Sequence, residues 1–195
     1  PPFIVTLATM NIARGLAKVY TGGSPVRVVT KEWQFIGAGY IGPVPVPVII
    51  MIIAIIITAL MMNKTKLGRH IYAVGGNTQA AEFSGIKVAR VKFIVHAYAG
   101  LMAGLAGIIL ASRMYSGQPT AGEGAEMDAI AAVVVGGTSM AGGSGKIGGT
   151  IIGALIIGVL NNGLNLMNVN SFWQDVVKGV VILLAVFIDY IRNRK

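Results

Sequence analysis

At 195 residues, the chain is 54% hydrophobic and only 12% charged, with a mean hydropathy of +0.73. Soluble domains carry about twice that share of charge, so the composition excludes an ordinary soluble domain and points to an integral membrane protein. Lys and Arg number 16 against 7 Asp and Glu, but they sit in loops between apolar runs, the positive-inside pattern, which argues against a nucleic-acid partner.

The chain opens on Pro1-Pro2-Phe3, with neither an initiating Met nor a signal-peptide n-region, and is read as a fragment or a truncated product. Phe3 to Tyr20 is apolar, interrupted by Asn11, Arg14 and Lys18, near the ~20 residues that crossing needs. Val44 to Met62 is the clearest span, almost wholly Ile, Val, Met and Ala, entered through Pro43, Pro45 and Pro47. Val91 to Ser112 follows, with Gly100, Gly104 and Gly107 offering small faces for close helix contact. Met127 to Met140 is shorter and interrupted at Gly136-Gly137-Thr138-Ser139, so a broken helix buried among neighbours is expected. Ile147 to Met167, with Gly149, Gly153 and Gly158, is the next span. Phe172 to Tyr190 is the last, with Trp173 and Tyr190 as interfacial anchors.

The most informative stretch is the polar island Gly75 to Ile86 between two of these runs. Asn77 is suited to cap a helix by accepting from first-turn N–H groups, Thr78 to Ser84 to continue it, and Gly85 to end it in the left-handed conformation. Lys64, Lys66, Arg69, Lys87, Arg90 and Lys92 flank it, opposed only by Glu82. A short capped helix in a basic loop is a candidate docking surface for a cytoplasmic partner, with Ala81 expected on its contact face. By spacing alone an ordinary structured loop explains it as well.

With this loop cytoplasmic and the segments alternating, Lys146, Arg192, Arg194 and Lys195 join the same side. The far side then holds Arg27, Lys31 and Arg113 beside Glu32, Glu123 and Glu126, in the Gly-, Pro- and Ser-rich loops Thr21 to Gly42 and Met114 to Glu126. A cytoplasmic C-terminus is expected.

Catalytic signals are weak. The absence of cysteine removes disulfides and thiolate metal sites. Gly143-Ser144-Gly145-Lys146-Ile147-Gly148 has the GxGxxG spacing, but it joins two membrane segments rather than a strand and a helix, so a tight turn is expected. A P-loop fails too, because Ile147 follows Gly145-Lys146 and Met140 replaces the first glycine. His70 and His96 are far apart and belong to no metal motif, and His96 reads as a packed, hydrogen-bonded side chain. The chain is read as non-enzymatic, with no cofactor and no metal.

Ionisable groups inside apolar segments usually face protein or water, and Arg14, Asp128, Asp175 and Lys178 qualify. Asp175 and Lys178, three apart on one helical face, are placed to neutralise each other, and a tie between helices explains the pair at least as well as a transport role. Asn161, Asn162 and Asn165 cluster at the outer end of a span. Their amides suit the hydroxyls of a sugar pathway and suit bonds between helices equally well.

Several stretches together resemble one family. The island Gly76-Asn77-x-x-Ala80-Ala81-x-x-Ser84-Gly85-Ile86 is similar to the cytoplasmic coupling segment of bacterial ABC sugar-importer permeases. The run from Gln118-Pro119-Thr120-Ala121-Gly122 through Glu126 and Asp128 to Val134 resembles the same family. So do Gly136-Gly137-Thr138-Ser139-x-Ala141-Gly142-Gly143, Leu160 to Leu166, Phe3-Ile4-x-Thr6-Leu7, Arg14-Gly15-Leu16-Ala17 and Gly23-Ser24-Pro25-Val26.

The resemblance implies an all-α, polytopic permease of the ABC-importer type, here its C-terminal portion: one transmembrane domain over 1–195 with about five to six membrane segments, lacking the family's N-terminal spans. Residues 63–90 would be the cytoplasmic coupling loop, with Gly76, Asn77, Ala80, Ala81, Ser84, Gly85 and Ile86 as its coupling helix. The implied function is passage of a monosaccharide, ribose foremost, across the bacterial inner membrane. The implied partners are a cytoplasmic ATPase that hydrolyses the ATP, a periplasmic sugar-binding protein, a second permease copy and membrane lipid. An ATP-independent carrier or channel is the alternative. It would more naturally pair broken helices with acidic residues near the midplane.

Overall fold

A computed structural model of the chain describes residues 2–27 and 30–193. Arg194 and Lys195 lie outside the described residues, as do the side chains of Tyr190 and Arg192. The chain is mostly helical and divides into two compact units, Pro1–Ala54 with Ala97–Glu123, and Ile55–His96 with Gly124–Lys195.

The first unit begins with α1 (Pro2–Thr21), whose Thr9 and Thr21 hydroxyls donate to the Val5 and Ala17 carbonyls, both at 2.8 Å. Such bonds satisfy polar groups without leaving an apolar helix. Arg14 lies 3.9 Å from Glu123, so one of the charges read inside a span has an acidic neighbour. After α1 come β1 (Val26–Arg27), α2 (Lys31–Ala38) and a hairpin of β2 (Tyr40–Ile41) and β3 (Val44–Pro45). Strand β1 pairs antiparallel with β4 (Ser116–Gly117), Val26 opposite Gly117. The two segments expected as outer loops are therefore joined, and the first contains a helix that composition did not reveal.

Ser112 is the most buried polar residue of this unit and fixes α2 against α6 (Val88–Arg113). Its hydroxyl donates to the Trp33 carbonyl at 2.6 Å and accepts from the Gly37 N–H at 2.7 Å. A Cβ at Gly37 would sit 2.7 Å from the same oxygen, so only glycine permits this approach.

Among the described residues, α3 (Val46–Lys64), α6 and α8 (Ile147–Leu166) are long and apolar enough to cross a membrane. The other segments read as spans are helical but less clear-cut. Arg14 and Lys18 interrupt α1, α7 (Ala125–Val135) has 11 residues, and α9 (Ser171–Asn193) includes Asp175 and Lys178. On α3, Met51, Ile52, Ile53, Ile56, Ile57 and Leu60 are all exposed. An apolar surface of this kind is stable against lipid and not against water.

In the second unit α7 packs on α8 and α9, around buried Ala131, Ala132 and Ile157 with Val181 against them. Backbones touch here, since a Cβ on Gly153 would fall on the Ala132 carbonyl and one on Gly149 on the Gly136 carbonyl. The expectation of small-residue contact thus holds for Gly149 and Gly153. At Gly158, Gly100, Gly104 and Gly107 an added Cβ would meet nothing within 4 Å among the described residues. Small residues allow close approach without requiring it.

Candidate functional site

The island is built as two consecutive short helices. Helix α4 (Lys66–Gly76) was not anticipated, because its Lys66, Arg69 and His70 read as loop charges. Its start is nonetheless written in the sequence, since the Thr65 side chain accepts from the Gly68 N–H at 3.2 Å and so caps it. Helix α5 (Thr78–Phe83) follows after a single residue, Asn77, in extended conformation.

Asn77 serves both helices. Its N–H donates to the Ala73 carbonyl at 3.0 Å, closing α4, while its Oδ1 accepts from the Ala80 N–H at 2.9 Å, opening α5. At the other end Gly85 takes φ +80°, open to glycine and costly for other residues. The Ile86 N–H donates to the Ala81 carbonyl at 3.1 Å and the Gly85 N–H to the Glu82 carbonyl at 2.9 Å, a Schellman ending.

This motif brings its two apolar partners together. Ala81 is 4% exposed and packs with Val74 and Val91, with Ile71, Ile86 and Val88 around them. The expectation that Ala81 lies on a contact face is therefore corrected: it is the seat on which α5 rests. The Schellman geometry turns the third residue from the helix end toward the residue after the glycine, and here those are Ala81 and Ile86. Gly76, Asn77, Ala80, Ser84 and Gly85 are exposed. Sequence reasoning passed over Phe83, which is 92% exposed at the end of α5. Its signal was a large aromatic residue at the end of a short, otherwise small and polar helix.

The loop from Gly136 to Lys146 forms the expected tight turn. The Gly142 N–H donates to the Ser139 carbonyl at 3.2 Å, and Gly142 and Gly143 have φ +91° and +73°. These glycines lie against α4, where a Cβ on Gly75 would sit 2.8 Å from the Gly143 nitrogen and one on Gly143 would sit 2.6 Å from the Gly76 Cα. The Tyr72 hydroxyl donates to the Gly145 carbonyl at 3.1 Å. The island is thus joined, backbone to backbone, to the connection between α7 and α8.

Toward the other end of the same helices a polar cluster ties α7, α8 and α9. Lys178 Nζ lies 3.3 Å from Asp128 Oδ1, and Asn161 Nδ2 donates to Asp128 Oδ2 at 3.2 Å. The expected Asp175–Lys178 pair is corrected, because Lys178 reaches across to Asp128 instead. Asp128 sits in the first turn of α7, where free N–H groups and the helix dipole favour a carboxylate. Asn161 Oδ1 is buried without a hydrogen-bond partner among the described residues. Asn165 Oδ1 accepts from Gln174 Nε2 at 2.9 Å, and Asn162 is exposed. Of the three amides, two therefore bond to neighbouring side chains and one does not.

Elsewhere, His96 Nδ1 donates to the Lys92 carbonyl of its own helix at 2.8 Å. No cluster of three or more metal-ligating side chains occurs among the described residues.

Apolar membrane-crossing helices, small-residue packing and a doubly capped basic-loop helix define a polytopic membrane component. The family described as branched-chain amino acid transport system / permease component matches residues 1–186, and the chain belongs to it. The relatives it matches are transport components rather than enzymes. The chain is 57% identical over 190 residues to the ribose import permease protein of Bacillus subtilis (strain 168), covering 96% of this chain and 59% of that protein. It is 54% identical over 191 residues to the ribose import permease protein of Escherichia coli (strain K12), with 96% and 60% covered. To the L-arabinose transport system permease protein of the same strain it is 43% identical over 192 residues, with 98% and 58% covered. The chain thus spans about three fifths of the length of these relatives. No solved structure matches it.

Proposed function

We propose that the chain belongs to the membrane-spanning permease subunit of an ABC importer that carries a monosaccharide, ribose foremost, across the bacterial inner membrane. The observation that carries this reading is the 57% identity to a ribose import permease over 96% of the chain. ATP is hydrolysed by a separate cytoplasmic ATPase, a periplasmic binding protein delivers the sugar, and a second permease copy completes the path.

Residues 63–90 form the loop that the ATPase grips. Helix α5 is suited to act as a rigid lever because it is capped at both ends and seated through Ala81. Gly76, Asn77, Ala80, Ser84 and Gly85 present its outer surface, with Phe83 as the anchor, while Ala81 and Ile86 hold its position. A displacement of α5 passes through the Gly75–Gly143 contact and the Tyr72–Gly145 bond to α7 and α8.

The alternation of spans behind a cytoplasmic loop and C-terminus is supported by two contacts, and the excess of Lys and Arg assigns the cytoplasmic side. Alternation of the spans requires the Gly136–Lys146 connection to share a side with α4, and the two touch. It also requires the loops after α1 and α6 to share the opposite side, and β1 pairs with β4. On this reading Asn161, Asn162 and Asn165 line the outer half of the sugar path, with the exposed amides of Asn162 and Asn165 open to its hydroxyls.

The test is reconstitution of the intact permease with its ATPase and binding protein in proteoliposomes. Ribose uptake that requires ATP, the binding protein and Phe83 supports the proposal. Uptake by the permease alone would identify a carrier instead.

A further inference from the structure

Beside the island a cleft of about 510 Å³ opens between α4, the Ser84–Lys87 turn and the first turns of α6. Leu67, Ile86, Val91 and Ile94 line it with hydrocarbon, and Lys87 and Arg90 line it with exposed charge. We propose that this cleft binds an anionic phospholipid, its phosphate held by Lys87 and Arg90 and one acyl chain lying along the four apolar side chains.

Depth supports this occupant. Helix α6 has 26 residues, a length of about 39 Å at the α-helical rise, against a hydrocarbon core of about 30 Å. Its first turn therefore lies at headgroup level whichever face of the bilayer it enters, and Lys87 and Arg90 meet the phosphate layer there. Val91 and Ile94 continue inward from it. From the turn into α6 the lining passes from the cations Lys87 and Arg90 to the apolar Val91 and Ile94, as a lipid passes from phosphate to chain.

Charge points the same way. From Lys64 to Lys92 the sequence holds six Lys and Arg and a single acid, Glu82. Basic segments beside a span attract anionic lipid at roughly 1 kcal/mol per residue. His70 adds an imidazole to the same lining. The volume falls within the roughly 300–1,000 Å³ typical of small-molecule sites. A cytoplasmic protein would match the charges but could not follow Val91 and Ile94 into hydrocarbon, whereas an acyl chain can.

The experiment is native mass spectrometry of the intact permease in mild detergent, titrated with phosphatidylglycerol or with phosphatidylcholine. The wild type is compared with Lys87→Gln/Arg90→Gln, with Arg90→Lys, and with Arg27→Gln/Lys31→Gln as a distant control outside the Lys64–Lys92 segment. The expected result is selective retention of phosphatidylglycerol, weakened roughly tenfold to thirtyfold in the double variant, the weight of two basic contacts. Arg90→Lys and the distant control should bind nearly as the wild type does. Both targeted side chains are exposed, so the fold should survive; should the double variant unfold, the single Arg90→Gln carries the comparison. Equal retention in wild type and variant would overturn the proposal, as would equal binding of the two lipids. Displacement by inorganic phosphate at matched concentration would assign the cleft to a soluble anion. Loss of ATPase capture with lipid retention unchanged would assign it to the partner protein.

Discussion

Lys178 Nζ of α9 stands 3.3 Å from Asp128 Oδ1 of α7, a pair joined across 50 positions of sequence rather than within one helix. Both side chains are partly buried, and Asn161 shares the carboxylate. A pair held between helices fixes their register in a way that a pair on one helix cannot.

Lys178→Ala should therefore lower the stability of the helix packing by about 1 kcal/mol, the weight of a partly exposed ion pair. Asp175→Asn should change it by less than about 0.5 kcal/mol, as for an ordinary exposed site. Thermal unfolding of the detergent-purified permease distinguishes them. Equal effects of the two substitutions would restore the pairing within α9.

Ala81→Arg should disrupt the island itself, because an arginine cannot fit among Val74, Val91 and Ile86. Phe83→Ala should leave thermal stability almost unchanged while weakening capture of the ATPase at least roughly tenfold, as loss of an interface anchor does. Measuring capture and melting together separates the two roles. Full capture by a stable Phe83→Ala protein would remove Phe83 from the docking surface.

Asn77→Ala should destabilise α5 by about 0.5–2 kcal/mol through loss of its cap. Hydrogen exchange at the Ala80 and Ala81 amides should quicken, with the amides of α8 unaffected. Unchanged protection would mean that packing of Ala81 alone holds the helix.

Gly143→Ala and Gly137→Ala both introduce a side chain at positive φ, +73° and +81°. At Gly137 nothing lies within 4 Å, whereas at Gly143 the new Cβ would sit 2.6 Å from the Gly76 Cα. Gly143→Ala should therefore cost more than the roughly 1–2 kcal/mol of backbone strain common to both. In proteoliposomes it should also reduce sugar-stimulated ATPase activity, while Gly137→Ala preserves it. Matching effects would show that the junction transmits nothing.

Ser112→Ala should cost about 0.5–1.5 kcal/mol, the net worth of the hydroxyl's bonds to the Gly37 N–H and the Trp33 carbonyl. Melting of the purified permease reads this out. A neutral result would mean that these backbone groups find other partners.

Much of this was legible in the residues alone. Composition determined the membrane setting, because a surface as apolar as that of α3 has only one stable solvent. Local chemistry determined the ends of α5, because Asn77 and Gly85 act through bonds to residues within five positions of them. The same reasoning was available for α4 through Thr65, but the charges of that segment concealed it.

The tertiary structure decided which groups meet. Periodicity cannot tell that Ala81 faces inward while Phe83 faces out, because six residues are too few to define an apolar stripe. Nor can spacing tell that Lys178 chooses Asp128 over Asp175, since that choice depends on how closely α7, α8 and α9 approach. Glycine allows such an approach at Gly153 and is equally present at Gly104, where no neighbour among the described residues comes near. Sequence determines what a surface permits; only the packing of distant segments decides what it touches.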